Sequence, residues 1–205
     1  SSLCGEEFSA LLVDAQHGTV EALPLFGEMA VVVCDTERLS PVVEAKAAAL
    51  RYHCAHAARV LRVKSLRAVE PQQLKSARDR LTARQHACAY HVVGENQRVV
   101  AAERALSCGD LEQFGQYLFQ SHVSAREHFQ NSTPEIELLV DLARAQPACL
   151  GARMSGVGFG GHTVNLVSWT EADDFCERME AGFAKAIGRK IKTMRCRAVE
   201  GGRAV

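Results

Sequence analysis

The densest chemistry-bearing stretch of the chain is a glycine-rich run, Met154-Ser155-Gly156-Val157-Gly158-Phe159-Gly160-Gly161-His162. Four glycines fall within six residues, with β-forming sequence on both sides. Glycine takes positive φ without a Cβ clash and lets backbone come close to another backbone or to a phosphate. The consecutive N–H groups such a loop exposes suit an anion. Spacing alone leaves two readings open, a phosphate contact or a tight hairpin whose glycines merely serve the turn. A dinucleotide fingerprint is ruled out, because that motif leads into a helix and this one leads into the strand-like run 162–168. Arg153, just before the loop, could reach a phosphate or form a structural ion pair.

Other tempting residues have simpler readings. The eight cysteines are spread along the chain with no C-x-x-C pair, so closely spaced metal ligands are missing. Many lie in apolar runs such as Val31-Val32-Val33-Cys34 and read as buried, reduced thiols of a cytosolic protein. His122 and His128 flank Arg126, and His53 and His56 are three apart, yet no carboxylate nearby in sequence completes a metal site. They read as solvent-facing or hydrogen-bonded histidines. Asp35, after a β run, reads as a turn former, and Trp169 as a core residue.

The elements that must hold the loop follow from the patterning. Runs 8–14, 20–23 and 29–35 are short, rich in Val and Leu, and separated by Gly18 and Gly27, which predicts strands. From Pro41, placed as an early helical residue, 42–63 is predicted helical, followed by 72–81, 85–106, 111–126 and 135–144. Asp110 and Ser132-Thr133-Pro134-Glu135 supply helix-start signals. Strands are expected at 150–155, 162–168 and 191–199, with a helix from 170 to 187 between the last two. This order predicts an α+β sandwich of the split β-α-β, ferredoxin-like kind with additional helices, in one domain. The 24 acidic and 24 basic residues cancel, which argues against nucleic acid as a partner. No apolar run is long enough to span a bilayer. The chain opens on Ser1-Ser2-Leu3-Cys4-Gly5 without an initiator Met and reads as the middle of something longer.

The loop, with Gly151-Ala152-Arg153 before it, resembles the third signature of the GHMP kinases in its galactokinase form. The likeness continues outside it. Val31-Val32-Val33-Cys34-Asp35-Thr36, Ala87-Cys88-Ala89-Tyr90-His91-Val92-Val93-Gly94 and Gly109-Asp110-Leu111-Glu112-Gln113-Phe114-Gly115 resemble galactokinase blocks in the family order. So do Ser121-His122-Val123-Ser124-Ala125-Arg126, Ser132-Thr133-Pro134-Glu135-Ile136-Glu137 and the closing Glu200-Gly201-Gly202-Arg203-Ala204-Val205. The resemblance implies a GHMP-kinase C-terminal domain over 1–205, with 1–35 a strand segment that would join a missing N-terminal half. It implies ATP- and magnesium-dependent phosphorylation of galactose at the anomeric hydroxyl, in the cytoplasm, with sugar and ATP as small-molecule partners. By the same carry-over Ser155, Gly156, Gly158, Phe159, Gly160 and Gly161 support the phosphate and sugar pocket, with Arg153 and Arg51 as secondary candidates.

The family's sugar-binding signature, its phosphate loop and the G-x-M-D-Q segment with the catalytic Asp do not occur here. The resemblance therefore implies that base, nucleotide cradle and metal lie upstream, and that this chain alone does not turn over. At the family's sugar-contacting Tyr and paired Arg positions the chain reads Ala47, Leu50 and Arg51. Tyr52 could replace the lost ring, although on a helix it lies about 140° from Ala47. This departure keeps two alternatives in view, a kinase for a related sugar such as arabinose or an amino sugar, and a non-catalytic sensor or partner-binding relative.

Overall fold

The computed structural model describes residues 7–25 and 29–198. Strands β1 (Ser9–Asp14) and β2 (Thr19–Pro24) form an antiparallel hairpin whose turn ends on Gly18 at φ +67. Both Asp14 oxygens accept from Arg67, at 2.8 and 2.6 Å, tying the hairpin to the turn after the first helix. Arg67, then His17, hold the Asp14 carboxyl well below the usual carboxylate range.

The next strand, β3 (Met29–Leu39), leads into four helices: α1 (Val43–Leu61), α2 (Pro71–Ser76), α3 (Ala83–Ser107) and α4 (Leu111–Ser124). After a π-helical turn at Ala125–Phe129 come α5 (Pro134–Arg144), β4 (Cys149–Met154), β5 (Gly160–Ser168), α6 (Ala172–Ile187) and β6 (Lys192–Cys196). The sheet order is β4-β5-β3-β6, with every neighbouring pair antiparallel. Read from β3 through α5, β4, β5 and α6 to β6, this is the expected split β-α-β layer, with α1 to α4 inserted after its first strand.

Period-two alternation buries Ala30, Val32 and Cys34 of β3, and amphipathic α5 and α6 pack on them. Phe175, Phe183, Met179, Ile136 and Leu139 are fully buried there. A separate cluster, including Ala57, Leu61, Leu74, Leu81, Ala89 and Val93, joins α1, α2 and α3. Helix α4 crosses β4 at two glycines: a Cβ on Gly151 would lie 2.3 Å from the Gly115 carbonyl oxygen.

Several boundaries differ from the sequence expectation, each for a local reason. Pro41 sits in a turn before α1, which starts at Val43. The run 72–81 splits into α2 and a 3-10 turn at Arg78–Arg80. Helix α3 starts earlier than predicted because Thr82 and Gln85 form a reciprocal capping box. Asp35 does turn the backbone, but inside a strand: its Oδ1 accepts from Glu37 N–H at 2.8 Å, Glu37 takes φ +54, and pairing resumes at Leu39. The caps at Asp110 and Thr133 form as expected. The end of the strand predicted to 199, the closing turn, Gly27 and Cys4 lie outside the described residues.

All seven described cysteines are free. Cys34, Cys88 and Cys149 are buried, and burial pushes the thiols of Cys34 and Cys149 up to about 12, which makes them inert. Cys108 departs from the expectation and is exposed. Among the described residues no helix is long and apolar enough to cross a membrane.

Candidate functional site: a clamped glycine loop

Between β4 and β5 the backbone takes positive φ at Gly156, Gly158, Phe159, Gly160 and Gly161. For Phe159, at φ +65, that conformation costs on the order of 1–3 kcal/mol and persists only where neighbours enforce it. They do so from three directions. Phe159 N–H donates to the Asn131 carbonyl at 2.5 Å, and Phe159 O accepts from Ser40 N–H at 3.0 Å. The Asn131 side chain donates to Val157 O at 3.1 Å. Thr36 donates its hydroxyl to Gly161 O at 2.7 Å, and its own carbonyl accepts from Arg189 at 2.6 Å.

The Phe159 ring is buried against Leu50 and Cys88, with Val43, Cys54 and Phe129 around them. Lys46 caps it, with Nζ 5.2 Å from the ring centroid. Gly158 presses on Asn131 so tightly that a Cβ would sit 2.3 Å from that carbonyl oxygen. The base of the loop is thus fixed to β3, α1, α3 and the segment before α5. The tip is different. Gly156 and Val157 are exposed, and among the described residues their N–H groups meet no acceptor.

All six loop candidates from the sequence therefore lie together in one clamped turn, as contiguity requires. Ser155 N–H pairs with His162 O at 2.9 Å and closes it. Of the two secondary candidates, Arg153 points Nη1 toward Glu95 Oε2, 3.8 Å away, and its Nε donates to Met154 O. Arg51 pairs with Glu44 at 2.8 Å on the exposed side of α1. Tyr52 is 62 % exposed and lies beside the rings of His53 and His56, while Ala47 is buried, so Tyr52 does not take the place of the lost ring.

Of the residues that set the loop, Asn131 and Ser40 carried no flag in the sequence, and Thr36 appeared only as the end of a family-like block. A recognisable cap at Thr133 lies two residues after Asn131, but nothing in it announces a contact with Gly158. Beneath α3 and α4 runs a buried polar chain. Glu95 accepts from Ser121 at 2.6 Å and from Arg98 at 2.6 Å, and His91 meets Ser124 at 3.0 Å. Burial alone would raise the Glu95 carboxyl, but Ser121 and Arg98 bring it below its ordinary range. Burial pushes His91 down to about 4, with Arg98 and Arg153 adding to it against Glu95.

The other flagged histidines differ among themselves, and His53 Nδ1 is buried without a hydrogen-bond partner among the described residues. His122 is buried with Nε2 3.3 Å from Glu137, His56 meets Gln85 at 3.1 Å, and His128 packs edge-on to Tyr90. Among the described residues no group of three or more His, Cys, Asp or Glu could hold a metal ion. Trp169 flanks the core half-buried, beneath Arg195 and Arg197.

The split β-α-β layer and its glycine loop recur in known proteins. Residues 99–185 match the family "GHMP kinases C terminal". Outside that segment too, the chain is similar to galactokinases. It is 38% identical over 202 residues to the galactokinase of Chloroflexus aurantiacus, covering 96% of this chain and 52% of that protein. To the Homo sapiens galactokinase it is 36% identical over 172 residues, 83% of this chain and 44% of that one. The crystal structure of Lactococcus lactis galactokinase complexed with galactose superposes with a TM-score of 0.90 at 24% identity, covering 97% of this chain and 53% of that chain. L. major mevalonate kinase, in complex with R-mevalonate, shares the fold more loosely, at a TM-score of 0.54 and 22% identity over 93% of this chain and 50% of that chain. The chain spans about half the length of the curated relatives it matches.

Proposed function

We propose that this chain is the C-terminal portion of an ATP-dependent, cytoplasmic sugar 1-kinase that phosphorylates galactose at the anomeric hydroxyl. The observation that carries the reading is the loop: the free N–H groups of Gly156 and Val157 at an exposed tip, on a base clamped from three sides. Such N–H groups hold charge on a phosphoryl oxygen, and a fixed base means little reorganisation is needed when the ligand arrives. Ser155, Gly156, Gly158, Phe159, Gly160 and Gly161 act as backbone support of the phosphate and sugar pocket. Arg153 and Arg51 are secondary, since each has a carboxylate partner already.

The base that accepts the sugar proton, most of the nucleotide cradle and the magnesium site belong to the other half. Magnesium, when bound, neutralises charge on the transferred phosphoryl group. Among the described residues no group of three or more His, Cys, Asp or Glu could hold it, and the reading assigns its ligands to the other half. The 1–35 segment would join the two halves through the β1–β2 hairpin, whose strands pair only with each other among the described residues, since β3 already pairs with β5 and β6. Galactose is favoured as substrate by the galactokinase relatives, and the domain works without nucleic acid or membrane.

The test is ATP-dependent galactose phosphorylation by this chain alone and by the longer protein that includes the upstream half. The chain alone is expected to give none and the longer protein to turn over. In the longer protein Gly158→Ala is expected to lower kcat/KM roughly a hundredfold through misplacement of the loop. Turnover by the isolated chain would overturn the division of labour, and an unchanged kcat/KM in the variant would overturn the loop's role.

A further inference from the structure

A cavity of about 490 Å3 lies between α2 and α3 and shares no lining residue with the glycine loop. Its charged lining is one-sided. Lys75, Arg78 and Arg98 face it together with His86, and no carboxylate does. The chain as a whole balances 24 acidic against 24 basic residues, so this segregation is local. Among the described residues neither Lys75 nor Arg78 enters an ion pair.

Arg98 is half committed. Its Nε donates to Glu95 at 2.6 Å, while Nη2 is buried without a partner. The guanidinium lies over Gly94, another lining residue, where a Cβ would come within 3.0 Å of Nη2. A buried cationic N–H with no acceptor is costly, and native structures rarely leave one so. The local field is positive in a second respect: after burial, Arg78 and His128 are what lower the titration of His86. The rest of the wall is apolar. Leu74 and Val93 lie beside Tyr90, whose ring is 52 % exposed. The volume falls in the range of small-molecule sites, and guanidinium groups pair with phosphate oxygens in a fixed fork.

We propose that this cavity binds a small phosphate ester, with the phosphate on Lys75, Arg78 and Arg98 and the organic body against Tyr90. A sugar phosphate and a nucleotide share that chemistry. The experiment titrates the full chain with a hexose 1-phosphate, with ATP and with inorganic phosphate, by calorimetry and by amide NMR shifts. Saturable binding of an ester is expected, with shifts centred on Gly94 and Tyr90, and the tighter of the two esters identifies the source. Inorganic phosphate is expected to compete more weakly, since it leaves Tyr90 uncovered. Arg78→Gln, an exposed position, is expected to weaken the ester about tenfold or more by removing one charge-assisted contact. Gly94→Ala is expected to do the same by displacing the Arg98 guanidinium. The proposal is overturned by any of four results: no saturable binding, inorganic phosphate as tight as both esters, shifts centred on 155–161, or equal affinity in an Arg78→Gln variant that melts like the parent.

Discussion

The two hydrophobic regions of the chain are built differently. Beneath the sheet, α5 and α6 contribute Phe175, Phe183, Met179, Ile136 and Leu139, all fully buried. Between α1, α2 and α3 the buried side chains are alanines and leucines, with Val69 and Val93. Next to that second region run the polar links of Glu95, Ser121, Arg98, His91 and Ser124. Large side chains make many contacts and tolerate little displacement. Small ones and hydrogen bonds hold a layer together while making it sensitive to protonation. Phe159 sits where the two meet, so the glycine loop is positioned by a stiff sheet on one side and a titratable helical layer on the other.

The contrast can be broken most directly by truncation. Phe183→Ala should cost about 3–5 kcal/mol in chemical denaturation, and Leu74→Ala in the helical layer should cost less, about 2–3 kcal/mol. Equal losses would mean that the regions are equally packed. Acid should act on the helical side. His91 is buried neutral with its value lowered to about 4, so below its ordinary 6.5 the unfolded chain binds the proton first and stability falls as pH falls. Between pH 7.5 and 5 the loss from this group is on the order of 2 kcal/mol, and His91→Gln should flatten the profile. The buried His122 is shifted in the same direction, chiefly by burial, and adds to the slope. A pH-independent urea midpoint over that window would remove the distinction.

Where the regions join, Gly158→Ala should destabilise by about 2 kcal/mol, since it places a Cβ on the Asn131 carbonyl at a left-handed position. Thr36→Val should cost about 1 kcal/mol by leaving the Gly161 carbonyl without its donor. Asp110→Ala, far from the loop at the start of α4, should cost about 1 kcal/mol through the lost cap and leave the amide signals of 155–161 unmoved. Movement of those signals would show that α4 also helps to position the loop.

The Val-rich run of β3, the helical runs of α5 and α6 and the two caps were all legible in the sequence, because each is a local pattern. The glycine cluster was legible for the same reason. What holds it was not. Thr36 and Gly161 are 125 residues apart, and the Asn131 side chain and Val157 are 26 apart, so no window of sequence contains either contact. The continuation of β3 past Asp35 was hidden because the apolar run ends at Cys34 and Asp35 reads as a turn former, while pairing resumes only after Glu37 in a left-handed conformation. The charge of the α2–α3 cavity was hidden too, because Lys75, Arg78 and Arg98 converge only when α2 folds back on α3.

The central position of β3 also dictates an order of assembly. Val32 accepts a hydrogen bond from Asn165, 133 residues later, and both neighbours of β3 in the sheet are the last two strands. The elements inserted between β3 and β4 are helical, and helices form in microseconds, whereas closing so long a loop is slow. On a ribosome β3 emerges first and waits, its edges unpaired, until β5 and β6 are made. Helix α5, made before β5 and β6, is thus available to pack on the buried face of β3 ahead of them, and the glycine loop takes its shape only when the sheet closes.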